Sequence, residues 1–173
     1  NSNATVLSDA SAITTGVNWA FNSSAEHFDT LAAGESLVLT YTISATDTGS
    51  PALSDSTTVT VTITGTNDGP VLTAPGTVAL TDTAVNDTLA NVTGTLAGTD
   101  ADHNAVLTYS VVGQATGSYP IGGTTYDASQ AGLYGTLYLN TSTGAWVYAP
   151  NDTAIEALKA NATDVFSVRV SDG

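Results

Sequence analysis

The chain has 173 residues, 16 of them Asp or Glu and only two, Lys159 and Arg169, Lys or Arg, for a formal net charge of −14. Two separated cations cannot replace the counterions of a nucleic-acid backbone or hold an anionic lipid surface, which excludes both partners. With 42% apolar residues the chain is too hydrophobic for an acidic disordered tail, and no apolar run approaches the roughly 18 residues of a membrane span, so a folded, non-inserted protein is expected.

Only 10% of residues are charged, so the polar surface is built mainly from Thr, Ser and Asn. No Cys is present, which leaves neither disulfides nor thiolate metal ligands. The remaining staple for a chain of carboxylates without cations is a divalent cation, and hard oxygen ligands favour Ca²⁺. The first residues carry neither the basic start nor the apolar core of a signal peptide, so a targeting signal is expected elsewhere.

In chain order, residues 24–32 hold Ala, Glu and Leu at helix-compatible spacing and predict a short helical turn in a loop. Residues 36–45 alternate apolar and polar, with Leu37, Leu39, Tyr41, Ile43 and Ala45 on one face, which is the period of a half-buried strand. Residues 57–64 repeat the pattern, with Val59, Val61 and Ile63 inward and Thr outward. Further strands are predicted at 77–80, 92–96, 106–112, 135–140, 145–148 and 165–170, with a longer Gly-rich loop at 113–135 and a second helical turn at 152–160. Many short strands separated by turn residues indicate a β-sandwich architecture.

The chain also repeats itself. Gly16-Val-Asn-Trp19-Ala-Phe21 is similar to Gly144-Ala-Trp146-Val-Tyr148, the two Trp lying 127 residues apart. Trp19 to Leu31 and Trp146 to Leu158 both span 12 residues, and Tyr41 to Asp47 and Phe166 to Asp172 both span 6. Self-similarity at this distance implies parts of two homologous units. Residues 1–68 are expected to form the C-terminal part of one β-sandwich repeat, and 69–173 a following repeat that lacks the last strand shown by 57–64 in the first. Gly65-Thr66-Asn67-Asp68-Gly69-Pro70 forms the linker, its Gly and Pro ending the strand.

These motifs resemble a known family. Val59-Thr-Val-Thr-Ile-Thr-Gly-Thr-Asn-Asp68 followed by Gly-Pro-Val71 looks like the end-of-repeat signature of VCBS and bacterial cadherin-like domains of giant RTX-type surface adhesins. Val92-Thr-Gly-Thr-Leu96 with Asp100-Ala-Asp102 resembles the start of the next repeat, Tyr134-Gly-Thr-Leu-Tyr-Leu-Asn140 with Gly144-Ala-Trp-Val-Tyr148 its middle, and residues 166–173 its penultimate strand. The resemblance covers nearly the whole chain. It implies an all-β fold of tandem immunoglobulin/cadherin-like β-sandwich repeats with short helical turns in loops. It also implies an extracellular extender of a bacterial cell-surface adhesin, with Ca²⁺ at domain junctions and neighbouring repeats of the same chain as partners, serving adhesion or biofilm formation. The segment 113–132 is longer than the motif needs.

The candidate cation ligands follow. Asp100, Asp102 and Asn104 place oxygen side chains at alternate positions of one loop, where they can converge on a cation, although the Gly and the distal Glu of an EF-hand loop are missing. Asn67 and Asp68 on the linker offer further oxygens. By resemblance, Asp82 occupies the acidic position after the first strand, and Asp47 and Asp172 close equivalent strands of the two units, where turn initiation is an equal alternative.

Trp19 and Trp146, each two residues from an aromatic partner, are expected as core anchors. Tyr119, Tyr126 and Tyr134 in the Gly-rich stretch are the candidates for contact with a glycan or another surface. His27 and His103 have no evident nucleophile, and neither a Gly-x-Ser-x-Gly elbow nor a His-Glu-x-x-His site occurs, so no enzymatic activity is expected. A missing last strand would leave an open sheet edge and a route to self-association.

Overall fold

The structure is a computed structural model that describes residues 5–6, 19–73 and 75–173. Residues 16–18 of the tryptophan motif lie outside them. The chain is all-β and divides into two compact units, Asn1–Asp68 and Gly69–Gly173.

Unit 1 contains β1 (Thr5–Val6), β2 (Trp19–Ala20), β3 (Ser36–Thr46) and β4 (Ser54–Thr64). β1 pairs with β2, and β3 pairs with β4 through an antiparallel ladder running from Ser36↔Thr64 to Thr46↔Ser54. Alternation is kept along both long strands. Leu37, Leu39, Tyr41 and Ile43 share a half-buried face with Val59, Val61 and Ile63, while the intervening Thr58, Thr60, Thr62 and Thr64 are exposed. Ala45, expected on the same face, is exposed. None of residues 19–68 is buried, and Trp19, expected as a core anchor, is 48% exposed.

Residues 24–32 form turns instead of the expected helical turn. Ser24 and Phe28 both sit at φ 58°, in the left-handed region that a right-handed helix cannot pass through. Asn22 favours the break by accepting the Ser24 N–H at 2.8 Å.

Unit 2 contains β5 (Val71–Thr73), β6 (Val92–Thr95), β7 (Ala97–Thr99), β8 (Thr108–Val111), β9 (Ala115–Ile121), β10 (Thr124–Ala131), β11 (Gly135–Leu139), β12 (Ala145–Pro150), α1 (Asp152–Glu156) and β13 (Val168–Ser171). An antiparallel sheet runs in the order β6-β12-β11-β10-β9, and β8 pairs with β13 and β5 with β7. Leu96 stands between β6 and β7, where the chain stops pairing with β12 and starts pairing with β5. Its N–H donates to the Gly144 carbonyl at 2.8 Å.

The expected Gly-rich loop is a hairpin, β9–β10, turning at Gly122 and Gly123 with φ 58° and 85°, the positive values that a two-residue hairpin turn demands. Its strands are rich in Gly, Ser, Thr and Ala, so they carry little of the apolar alternation that marks a strand. Residues 77–80 are not a strand. α1 is one short helix capped by Asn151, whose side chain accepts the Ala154 N–H at 3.2 Å, and it ends at Glu156 rather than 160. β13 begins at Val168, later than the 165 read from alternation.

The core of unit 2 joins Leu96, Tyr109, Ala128 and Leu139, and Leu72, Trp146, Val168 and Val170 pack against it. Trp146 fulfils the core role denied to Trp19. Its indole lies across from Gly94, where a Cβ would collide with the ring, so the aromatic fills space that the glycine leaves. Tyr148 covers Gly135 in the same way.

Leu139 is fully buried at the centre of this core. Leu139→Ala should therefore cost about 2–5 kcal/mol, seen as a lower midpoint of the urea transition of unit 2. An unchanged midpoint would show that Leu139 is not central to the core.

Candidate cation site

The 100–104 loop follows β7 directly. Asp100 Oδ1 accepts the N–H of Asp102 at 2.8 Å, the Asp102 carbonyl accepts the Ala105 N–H at 3.3 Å, and Asn104 turns the chain at φ 61°. The result is a tight Asx-type turn, a conformation that Asp and Asn favour because their side chains bond the backbone two residues on. Asn104 Nδ2 lies 2.9 Å from His103 Nδ1.

The electrostatics of this turn are unusual for such a polar sequence. Asp102 is only 8% exposed, and Asp100 Oδ2 is buried without a hydrogen-bond partner. A buried acceptor left unsatisfied costs about 1–3 kcal/mol, and more when charged. A hard divalent cation would satisfy it, and a carboxylate oxygen is the ligand chemistry that suits Ca²⁺.

Asn67, Asp68 and Asp47 belong to unit 1, and Asp82 and Asp172 to unit 2. Asn67 and Asp68 end unit 1, with Asn67 Nδ2 donating to the Asp68 carbonyl at 3.0 Å. Asp47 is engaged as a turn residue, accepting the N–H groups of Gly49 at 3.0 Å and Leu53 at 2.9 Å between β3 and β4. Asp172 follows β13 immediately.

Asp82 lies in a second acidic group with Asp87 and Glu156, whose carboxylate oxygens lie within 4.8 Å of one another. Sequence reasoning missed Asp87 and Glu156, because Glu156 sits on α1 far along the chain and only the fold brings it near. In this group Asp87 already accepts the Thr83 N–H at 2.7 Å and hydroxyl at 3.0 Å, and Glu156 accepts the Asp87 N–H at 2.7 Å. These bonds tie the 83–89 segment to α1, helped by Asp152, which accepts the Leu89 N–H at 3.1 Å.

The three tyrosines do not form an exposed loop patch. Tyr126 lies in β10 and is 5% exposed; Tyr119 lies in β9 with its ring 5.1 Å from that of Tyr138. Tyr134 lies just before β11 and lines an apolar cleft of about 530 Å³ together with Leu137, Trp146, Tyr148 and Phe166. At its edge Asp164 accepts the N–H groups of Leu133 at 2.8 Å and Tyr134 at 2.9 Å and the Tyr148 hydroxyl at 2.9 Å. Burial raises the Tyr148 pKa, and the bond to Asp164 and its negative charge raise it further.

No protein-family model matches the sequence, and no curated protein matches it at significance. Among the described residues no helix is long and apolar enough to cross a membrane.

Asp127 holds a second hairpin in place, accepting the Thr141 N–H at 2.8 Å and its hydroxyl at 2.7 Å. Partial burial pushes its pKa up, but the two Thr141 bonds together with the backbone N–H of Asp127 itself outweigh this and the net shift is downward. A depressed folded-state pKa contributes stability that is present above the unfolded carboxylate value of about 3.9 and is lost as pH falls through the folded value. Asp127→Asn should thus melt below wild type at about pH 6, with the gap closing towards about pH 2, as measured by thermal scans. A gap independent of pH would show that charge on Asp127 is not the cause.

Proposed function

We propose that the chain is a pair of extender repeats, immunoglobulin/cadherin-like β-sandwich modules of an extracellular bacterial surface adhesin, with Ca²⁺ as the structural ion. Neighbouring repeats are its partners, and its role is to project a distal binding region for adhesion or biofilm formation. One observation carries the reading: the Tyr41–Asp47 motif of β3 and the Phe166–Asp172 motif of β13 recur in two separate antiparallel β units of one chain. Recurrence of a sequence motif at a long period is the mark expected of an array.

The ion is supported by the 100–104 turn, where Asp102 is buried and Asp100 Oδ2 has no hydrogen-bond partner. Asp100, Asp102 and Asn104 would supply the oxygens. The overall charge of −14 also favours cation binding, because each ion relieves repulsion among carboxylates. Extracellular modules bind Ca²⁺ with Kd of about 10⁻⁴ to 10⁻³ M. At about a hundredfold excess of free ion, one site contributes about 2.7 kcal/mol, a large share of a domain's marginal stability.

The test is the melting temperature of the full chain in millimolar Ca²⁺ and in chelator. Wild type should melt several degrees higher with Ca²⁺, a response lost in the double variant Asp100→Asn, Asp102→Asn and kept in Asp82→Asn. Equal melting temperatures with and without Ca²⁺ would refute the site. A response lost in Asp82→Asn alone would move it to the Asp82, Asp87 and Glu156 group.

A further inference from the structure

We propose that Asn22 of unit 1 is an N-glycosylation acceptor and that the first sugar it takes lies against the half-exposed ring of Trp19. The donor class is a neutral sugar activated at C1 by a diphosphate leaving group.

Asn-x-Ser/Thr is the pattern that marks an Asn for a sugar, provided that its loop lies on the surface. Among the described residues the pattern starts at Asn22, Asn86, Asn91, Asn140, Asn151 and Asn161. Their surroundings differ. Asn140 is engaged in its hairpin, where Nδ2 donates to the Thr125 carbonyl at 3.1 Å and Oδ1 accepts the Ser142 hydroxyl at 2.8 Å and the Thr143 N–H at 3.0 Å. Asn151 caps α1, and the Thr153 of its pattern is already inside the helix. Asn86, Asn91 and Asn161 are exposed, but none of them accepts the N–H of its own Thr two residues on.

Asn22 combines the required features. It is exposed, and its Oδ1 accepts the N–H of Ser24, the hydroxyl residue of its own pattern, at 2.8 Å. Ser24 sits at φ 58°, which reverses the chain there. The carboxamide is planar, so holding Oδ1 against the backbone turns Nδ2 the other way, and among the described residues Nδ2 makes no hydrogen bond. The same bond polarises the amide and makes the Nδ2 protons more acidic. In the transfer Nδ2 attacks C1 of the donor. A C–N bond forms, the C1–O bond breaks with its electron pair going to the diphosphate, and one Nδ2 proton passes to a base of the transferase.

Trp19 fits the same reading. Its counterpart Trp146 packs against the core of unit 2 and is followed three residues later by Ala149, whereas Trp19 is 48% exposed and is followed three residues later by Asn22. Three extended residues span at most about 11 Å, so a sugar on Asn22 is within reach of the indole. The C–H face of a sugar ring is apolar and can cover an aromatic face that otherwise stays against water. The net charge of −14 favours a neutral sugar over an acidic one.

The test incubates the full chain in two arms, one with a uridine-diphosphate hexose and a soluble N-glycosyltransferase, the other with a polyprenyl-diphosphate oligosaccharide and a membrane oligosaccharyltransferase. Peptide mass mapping reads occupancy at each Asn, and the arm that transfers identifies the donor. In the folded chain Asn22 should be modified before the other five, and Ser24→Ala should lose the modification. In short synthetic peptides carrying the six patterns that lead should vanish, because the turn is no longer held. The modified chain should melt above the unmodified one, and Trp19→Ala should still accept the sugar but lose that rise. Transfer to another Asn first, no transfer to Asn22 in either arm, or an equal lead in the short peptides would overturn the acceptor. An absent rise, or one retained in Trp19→Ala, would overturn the contact with Trp19. None of these readouts involves Ca²⁺, so a failure here is separable from a failure of the cation site.

Discussion

Unit 2 depends on the apolar contact between its five-stranded sheet and the β8–β13 pair. Ala128 and Leu139 come from the sheet, Tyr109 from the pair, and Leu96 from the point where the chain leaves one sheet for the next. The other features are arranged around that contact. Leu96 can sit there because the chain switches partners at that residue, and the 100–104 turn follows within a few residues of the switch. The cleft is lined in part by the same residues, Leu96, Leu139 and Val168.

A second constraint comes from composition. With 16 carboxylates and two cations, few acidic side chains can find an ion pair. The structure instead uses them as acceptors for backbone N–H groups: Asp47 for Gly49 and Leu53, Asp127 for Thr141, Asp164 for Leu133 and Tyr134, and Asp152 for Leu89. A charged acceptor makes a stronger bond than a neutral one, so loops are pinned without any lysine or arginine. Against that pattern Asp100 Oδ2 is conspicuous, since it is buried and accepts nothing from the protein. This contrast, more than the number of acidic residues, distinguishes the 100–104 turn from the other acidic loops.

Legibility from sequence followed the strength of alternation. β3 and β4 could be read almost residue by residue, because Leu, Tyr, Ile and Val alternate with Thr over the whole ladder. β9 and β10 could not, since small and polar residues interrupt their apolar face and only the Gly-Gly turn signals a hairpin. Alternation begins at 165 although β13 begins at Val168, and 77–80 alternates without forming a strand, because periodicity registers apolar spacing and not the presence of a partner to pair with. Likewise the two tryptophans share a sequence context, yet Trp146 packs against a core and Trp19 is half exposed.

Local spacing was enough to expect an all-β chain, two related segments, and an oxygen-rich turn at Asp100, Asp102 and Asn104, since each depends on residues close together in the chain. Tertiary structure alone decided which carboxylates are occupied by backbone donors, which tyrosines are buried, and that Glu156 joins Asp82 and Asp87. It also decided that Val78 and Phe166 line one apolar cleft with Leu139 and Trp146. Those properties arise from contacts between residues far apart in the chain, such as Asp82 with Glu156 and Pro75 with Val168, and no short-range pattern encodes the distance between such residues.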